Sequence, residues 1–268
     1  MSKLKVFLHI DPYLPESKIS NTLMAIAQQF SVVPEPESAE MVIVLGGDGA
    51  MLDAIRDHHH QALPFFGINF GHVGFLLNAV PDGGDLGQMV ETSEFIEFPL
   101  MDIEILLETS EVIRTFAFNE VYTHPYPGHT CCHRVMINGD NLMDEFGETE
   151  FRGNGIIYAT PGGCTSYNYN ARGVYALPDQ GQFVLTPVDP IRPNFHRFHS
   201  RAICDTTRVT VELLERHRRK QFIIADTQVF ENAVSATMVR AEKTVGLKFG
   251  RRTHYFEKVI RLFSYNGR

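Results

Sequence analysis

The sequence predicts an N-terminal α/β domain followed by an all-β, sandwich-like domain. Up to Phe98, apolar strand runs alternate with segments of helical spacing, the β-α-β-α-β order that favours a parallel sheet covered by helices. After Phe98-Pro99 the chain becomes a succession of short strand-like segments with turns between them. Two glycine-rich loops follow successive strands of the first part, at the strand ends where such sheets take their ligands.

The elements follow in order. Lys5-Val6-Phe7-Leu8-His9-Ile10 reads as a first strand, closed by Asp11-Pro12. Ile19, Leu23, Ile26, Ala27 and Phe30 then recur at helical spacing, and Pro15 is tolerated in the first turn of that helix. Met41-Val42-Ile43-Val44-Leu45 is apolar throughout and reads as a buried strand. It runs into Gly46-Gly47-Asp48-Gly49 and at once into a helical pattern. Glycines let backbone amides converge on an anion, and the helix behind them adds its positive end. Pro64 to Asn69 is the next buried strand, and it enters Gly71-His72-Val73-Gly74-Phe75-Leu76.

In the second half, residues 100–107, 111–122, 132–137, 155–159, 208–214 and 221–225 are strand-like. Asn138-Gly139 marks a tight hairpin, and the basic run Arg216 to Lys220 reads as an exposed hairpin turn. Tyr255, Phe256, Val259, Ile260, Leu262 and Phe263 give a short terminal helix one apolar side.

At 268 residues the chain is long enough for one large or two medium cores. A net charge of −8 argues against a general nucleic-acid or membrane-surface binder. No apolar run approaches the roughly 20 residues of a membrane helix, and the N-terminus enters a strand without a leader pattern. Four scattered cysteines are too few for a disulfide scaffold. A cytoplasmic protein is expected.

Asp48 is the lone carboxylate of an anion-friendly turn. Such a group either deprotonates a hydroxyl, holds one, or sits on a metal ion; capping the helix is the plainer alternative. No GxxxxGK[ST] occurs, and no GxGxxG follows the first strand, so neither standard phosphate fingerprint applies. Asn119-Glu120 ends an apolar run; it is either an ordinary strand end or a nucleoside reader, because Asn matches an adenine edge and Glu accepts from ribose hydroxyls. Thr160 to Asn168 packs small hydroxyl residues and glycines beside Tyr167, as a ligand-wrapping loop would. Cys164 within it reads as packing rather than as a nucleophile. His58-His59-His60 reads as a solvated helix end, and His129, Cys131 and His133 share a strand face without a fourth ligand.

Taken together these motifs resemble those of the bacterial NAD kinases (the ATP/polyphosphate-NAD kinase family). The matches run in order: Gly46-Gly47-Asp48-Gly49, Gly67-Ile68-Asn69 with Gly71 to Leu76, Asn119-Glu120, Phe151 to Gly155, and Thr160-Pro161 through Tyr167-Asn168. Lipid kinases of the diacylglycerol type and phosphofructokinases share the first motif; the ordered set is specific. The resemblance implies a Rossmann-like α/β nucleotide-binding domain over 1–98, to which 250–268 returns, and a β-rich NAD-binding domain over 99–249. It implies transfer of the ATP γ-phosphoryl group to the adenosine 2′-hydroxyl of NAD, with a divalent ion, Mg2+, accompanying ATP and a dimeric or tetrameric homo-oligomer. A non-catalytic NAD/NADP sensor of the same fold is the alternative.

The same resemblance assigns Asp48 as base and names no metal-ligating residue. It places Gly47, Gly49, Phe75, Asn119, Glu120, Arg152, Asn154, Thr165, Ser166, Tyr167, Asn170, Asp189 and Asp226 at nucleotide or substrate contacts. Three departures stand out. Gly162, Cys164 and Ser166 replace the usual Thr, Ser and Ala; Asn154 replaces an Asp; and Asp226-Thr227 replaces Asp-Gly. Exchanging a charged for a neutral hydrogen bond at Asn154 costs roughly 1 kcal/mol, so activity is expected to survive.

Overall fold

The computed structural model describes residues 3–79, 85–250 and 255–264. The chain divides into two compact units, Met1–Phe98 with Thr244–Arg268, and Pro99–Lys243.

The first unit opens with β1 (Lys5–Ile10), α1 (Glu16–Gln29), β2 (Ser31–Val32), β3 (Met41–Gly46), α2 (Asp48–His58), β4 (Phe65–Asn69) and α3 (Leu86–Glu91). Its strands are parallel in the order β2-β1-β3-β4. Every residue of β3 is buried, which is why its sequence is apolar without alternation. Ile19, Ile26 and Phe30 pack with Val6, Ile43, Leu45 and Phe66 in one core. Pro15 is the N-cap of α1 and lies just outside the helix. The α2 helix buries Ala50, Met51, Ala54 and Ile55, one stripe at helical spacing.

The second unit is built from antiparallel strands. Its elements are β5 (Glu94–Leu107), β6 (Val112–Ala117), β7 (Glu120–Pro125), β8 (Cys131–Ile137), β9 (Asp140–Asn141), β10 (Phe151–Gly153) and β11 (Gly155–Ala159). These are followed by the single-turn α4 (Tyr167–Asn170), then β12 (Gln182–Val188), β13 (Arg201–Cys204), β14 (Val209–Leu213), β15 (Gln221–Ala225), β16 (Gln228–Phe230) and β17 (Ala233–Phe249). The chain closes with α5 (Tyr255–Ser264), which belongs to the first unit, as do β5 up to Phe98 and β17 from Thr244. One set of strands runs β10-β8-β14-β17 and the other β13-β12-β11-β7-β15-β16. Side chains of both meet in one core that includes Val135, Val209, Val211 and Met238 from the first set and Val121, Ile156, Tyr158, Leu185 and Ile223 from the second. Two facing apolar surfaces make a sandwich. In β11, Ile156 and Tyr158 face that core, while Ile157 and Ala159 face Tyr122, Tyr167 and Ala171 on the opposite side.

Two expectations change. Residues 111–122 do not form one strand: β6 ends at Ala117 and β7 starts at Glu120, because the Asp226 carboxylate takes the amides of residues 118–120. Arg216 to Lys220 is not a hairpin turn, since β14 pairs with β8 and β17 whereas β15 pairs with β7 and β16; the run carries the chain between sheets. The Asn138-Gly139 hairpin forms as expected, with φ of 52° and 98° at its two turn residues. Among the described residues, no helix is long and apolar enough to cross a membrane.

Candidate functional site

Asp48 is the first residue of α2, with Gly47 as N-cap. Its carboxylate does not cap the helix. Instead Oδ2 accepts from the Phe75 amide at 3.0 Å and Oδ1 from the Leu76 amide at 2.8 Å. The loop after β4 is folded so that these two amides face it. Phe70 N donates to Gly46 O at 2.8 Å and Asn78 N to Gly67 O at 2.8 Å, while Asn69 Oδ1 accepts from Gly71 N at 2.9 Å. Gly74 has φ +67° and lies against the Asn69 side chain, so any Cβ there would collide with it. The first-turn amides of α2 lack intrahelical acceptors by position. Gly49 borders open space; nothing in the protein's own packing demands glycine there.

In the second unit Asn119 and Glu120 are 8% and 5% exposed. Their backbone is pinned from one side by Asp226, which accepts from Phe118 N and Asn119 N at 2.9 Å each and from Glu120 N at 3.1 Å. Thr160 pins it from the other side: its amide donates to Asn119 O at 2.8 Å and its hydroxyl to Phe118 O. The same hydroxyl accepts from Gly162 N at 3.0 Å, drawing the loop in. A Cβ on Gly162 would lie 2.7 Å from the Phe118 ring and 2.9 Å from its carbonyl oxygen, which accounts for glycine at this position. Ser166 Oγ donates to Glu120 Oε1 at 3.0 Å. Glu120 Oε2 and Asn119 Oδ1 are buried without hydrogen-bond partners.

Burial pushes the Glu120 carboxyl up to about 8; the neighbouring Asp226 charge adds to this, and bonds from Ser166 and the Tyr167 backbone oppose it. The group is therefore protonated at pH 7, a donor as well as an acceptor.

Thr165 closes the turn 162–165 before α4, and Tyr167 meets Tyr122 edge-on at 5.0 Å. Tyr167, Asn170, Val188 and Asp189 line, with Phe195, an open groove of about 660 Å3. Asn154 Nδ2 donates to Asp189 Oδ2 at 2.9 Å. Arg152 is half-buried and held in place by two carboxylates, its guanidinium 2.6 Å from Glu150 and 2.8 Å from Glu215. Of the expected contact residues, the structure thus brings together Asn119, Glu120, Ser166 and Asp226 in one hydrogen-bonded set, and Asn154, Tyr167, Asn170 and Asp189 around the groove. Gly47, Gly49, Asp48 and Phe75 form a separate set in the first unit. The spanning role of Asp226 and the part played by Thr160 were missed, because nothing in the sequence marks which backbone amides a distant side chain will cap.

The remaining candidates resolve plainly. Cys164 is fully buried, accepts from Ala176 N at 3.3 Å, and has its thiol pushed up to about 12 by burial; it is packing. His133 is buried and stacked on Phe151, with burial driving it down to about 3. His129 is exposed, so the three-residue strand face does not gather into a ligand set. His58 is not simply solvated: it packs edge-on against Phe7 at 5.1 Å and His9 at 5.8 Å. Among the described residues two groups place three potential ligand atoms within 4.8 Å, His9 with Asp57 and His58, and Cys132 with Glu150 and Glu215. Neither includes Asp48.

Comparison with known proteins agrees with these motifs. Residues 15–87 match the family model for the ATP-NAD kinase N-terminal domain, and residues 118–244 that for the C-terminal domain. An NAD kinase of Rickettsia peacockii (strain Rustic) is 29% identical over 226 residues, 84% of this chain and 86% of that protein. One from Rickettsia prowazekii (strain Madrid E) is 28% identical over the same length and shares. Yeast NADH kinase complexed with NADH superposes with a TM-score of 0.81 at 15% identity, over 100% of this chain and 89% of that one. An NAD kinase from Archaeoglobus fulgidus in complex with ATP gives 0.71 at 21%, over 97% and 98%. At these identities the two structures speak for the fold.

Proposed function

Because the chain belongs to the ATP-NAD kinase family, we infer that it phosphorylates NAD, moving the γ-phosphoryl group of ATP to the adenosine-ribose 2′-hydroxyl to give NADP. The observation that carries the chemistry is the Asp48 carboxylate, oriented by two amides at 3.0 and 2.8 Å. Each carboxylate oxygen has a second lone pair free in principle, so Asp48 can hold a hydroxyl and take its proton in the same position. Phosphoryl transfer asks mainly for positioning and charge neutralisation, and a base adds about 10²–10⁴-fold.

Recognition of the nucleoside falls to the second unit. Asn119 Oδ1, buried and unpartnered, suits the exocyclic amine of adenine. Glu120, protonated at pH 7, can donate to and accept from ribose hydroxyls. Asp226 acts one step back, fixing the backbone from which both side chains project. Thr165, Ser166 and Tyr167 wrap the nucleotide, and the groove beside Asn170 and Asp189 takes the rest of the dinucleotide. The Asn154–Asp189 hydrogen bond keeps a carboxylate in that groove although Asn154 itself carries none. Arg152 supports the fold of this face through Glu150 and Glu215. In the first unit, Gly47 and Gly49 leave the start of α2 open to phosphate oxygens.

A divalent ion fits here as a companion of ATP. Mg2+ keeps several waters and is bound largely through substrate phosphates; the ion would neutralise charge on the transferring group. The reading includes a homo-oligomer of two or four copies in the cytoplasm, testable by light scattering on the purified protein. The function itself is tested by mixing the protein with NAD, ATP and Mg2+ and reading NADP with an NADP-specific dehydrogenase. NADP should accumulate in proportion to enzyme; no NADP at high enzyme overturns the reading.

A further inference from the structure

Lys258 lies on the terminal helix α5, between the apolar residues Phe256 and Val259. The helix is anchored by Tyr255, fully buried against Phe98 at 4.9 Å and Phe249 at 5.6 Å, and by the buried Val259. This seating aims the neighbouring Lys258 inward. Its ammonium donates to the carbonyls of Leu77 at 2.6 Å, Gly74 at 3.0 Å and Phe75 at 3.4 Å, and lies 5.8 Å from the centre of the Phe249 ring. All three donors of the ammonium are matched to three carbonyl oxygens.

Those carbonyls belong to the same strap whose Phe75 and Leu76 amides hold Asp48. One short backbone segment is thus gripped by a cation through its carbonyls and grips an anion through its amides. We propose that Lys258 is a positioning residue for Asp48, fixing the strap from Gly74 to Leu77 so that its two amides aim the carboxylate at the acceptor hydroxyl. The inference rests on the reading of Asp48 as the base. A methionine would fill the same volume but leave the three carbonyls without their donor. The strap would then be free to rotate its peptide planes, and the carboxylate would follow.

Burial pushes the Lys258 ammonium down to about 8, with the Asp48 carboxylate, the charged group that faces it among the described residues, pulling the other way. The grip should therefore slacken within an accessible pH range, which gives the proposal a readout that a packing role lacks.

The test compares the wild type with Lys258→Met, Lys258→Arg and Asp48→Asn, measuring kcat and KM for NAD in the NADP assay from about pH 6 to about 10. Lys258→Met should lower kcat roughly 10- to 100-fold, the scale of a small misplacement at the reacting group, with KM for NAD unchanged. The wild-type kcat should fall more steeply past about pH 8 than that of Lys258→Arg, which is permanently charged and shares with the wild type only the ionisation of Glu120 near the same pH. Wild-type kcat and pH profile in Lys258→Met, while Asp48→Asn still abolishes turnover, overturns the role of Lys258 and leaves the function standing. Full turnover in Asp48→Asn overturns the reading beneath it. Should Lys258→Met not fold, identical alkaline limbs in the wild type and Lys258→Arg overturn the proposal by themselves.

Discussion

Replacing Glu120 with Gln changes one proton's place in the folding equilibrium. The carboxyl is 5% exposed and its proton affinity is raised from 4.5 to about 8, chiefly by burial and secondarily by Asp226. The sign follows from linkage. Between the two values the unfolded chain has released the proton and the native chain still holds it, so stability falls as pH rises from about 4.5 to about 8. At 1.36 kcal/mol per unit, the native state at alkaline pH carries a penalty of roughly 3–5 kcal/mol relative to acid pH. Gln has the same shape, no titration, and an oxygen that can still accept from Ser166. Glu120→Gln should therefore match the wild type near pH 5 and be more stable at pH 9. At about 2–4 °C per kcal/mol for a unit of this size, the gap should approach 10 °C. Thermal unfolding of both proteins across this pH range is the assay. Parallel curves would refute the reasoning, because they would mean that Glu120 ionises in the folded state as freely as in water.

Two more outcomes follow from the same geometry. Asp226→Ala leaves three amides without their carboxylate acceptor; bonds to charged groups contribute about 1.5–3 kcal/mol each and are not additive, so a loss of about 2–4 kcal/mol by denaturant titration is expected, together with weaker NAD binding. A thiol reagent at pH 8 should label Cys204, the exposed cysteine, and spare Cys131, Cys132 and Cys164 until the protein is unfolded; burial holds those three thiols up at about 12.

Much of the first unit was legible because its signals are local. Five consecutive apolar residues in β3, a glycine turn and a helical stripe each carry their own meaning, and β1, β3, α2 and β4 lie where the pattern puts them. The second unit was legible as a β-rich, sandwich-like domain, but its strand pairing was not. A strand's alternation says which residues are buried, not which partner it pairs with, so the passage at Arg216 to Lys220 read as a hairpin. The long β17 escaped notice because its alternation runs through Arg240, Glu242 and Lys243, whose charges read as loop. In the site, residues such as Asp48, Asn119 and Glu120 were visible as motifs. Asp226 was visible too, but its work on the amides of residues 118–120 depends on a contact across more than a hundred residues. Lys258 shows the same limit more sharply, since a lysine on an amphipathic helix carries no sign that it will turn inward.

The central claim is that this fold phosphorylates NAD with Asp48 receiving the hydroxyl proton. The most direct measurement is turnover and NAD affinity of the wild type and Asp48→Asn, side by side, with ATP and Mg2+. The account predicts NADP from the wild type, and from Asp48→Asn near-normal NAD binding with turnover reduced about 10²–10⁴-fold. Equal rates in the two proteins, or NAD bound by the wild type without any NADP formed, would contradict it.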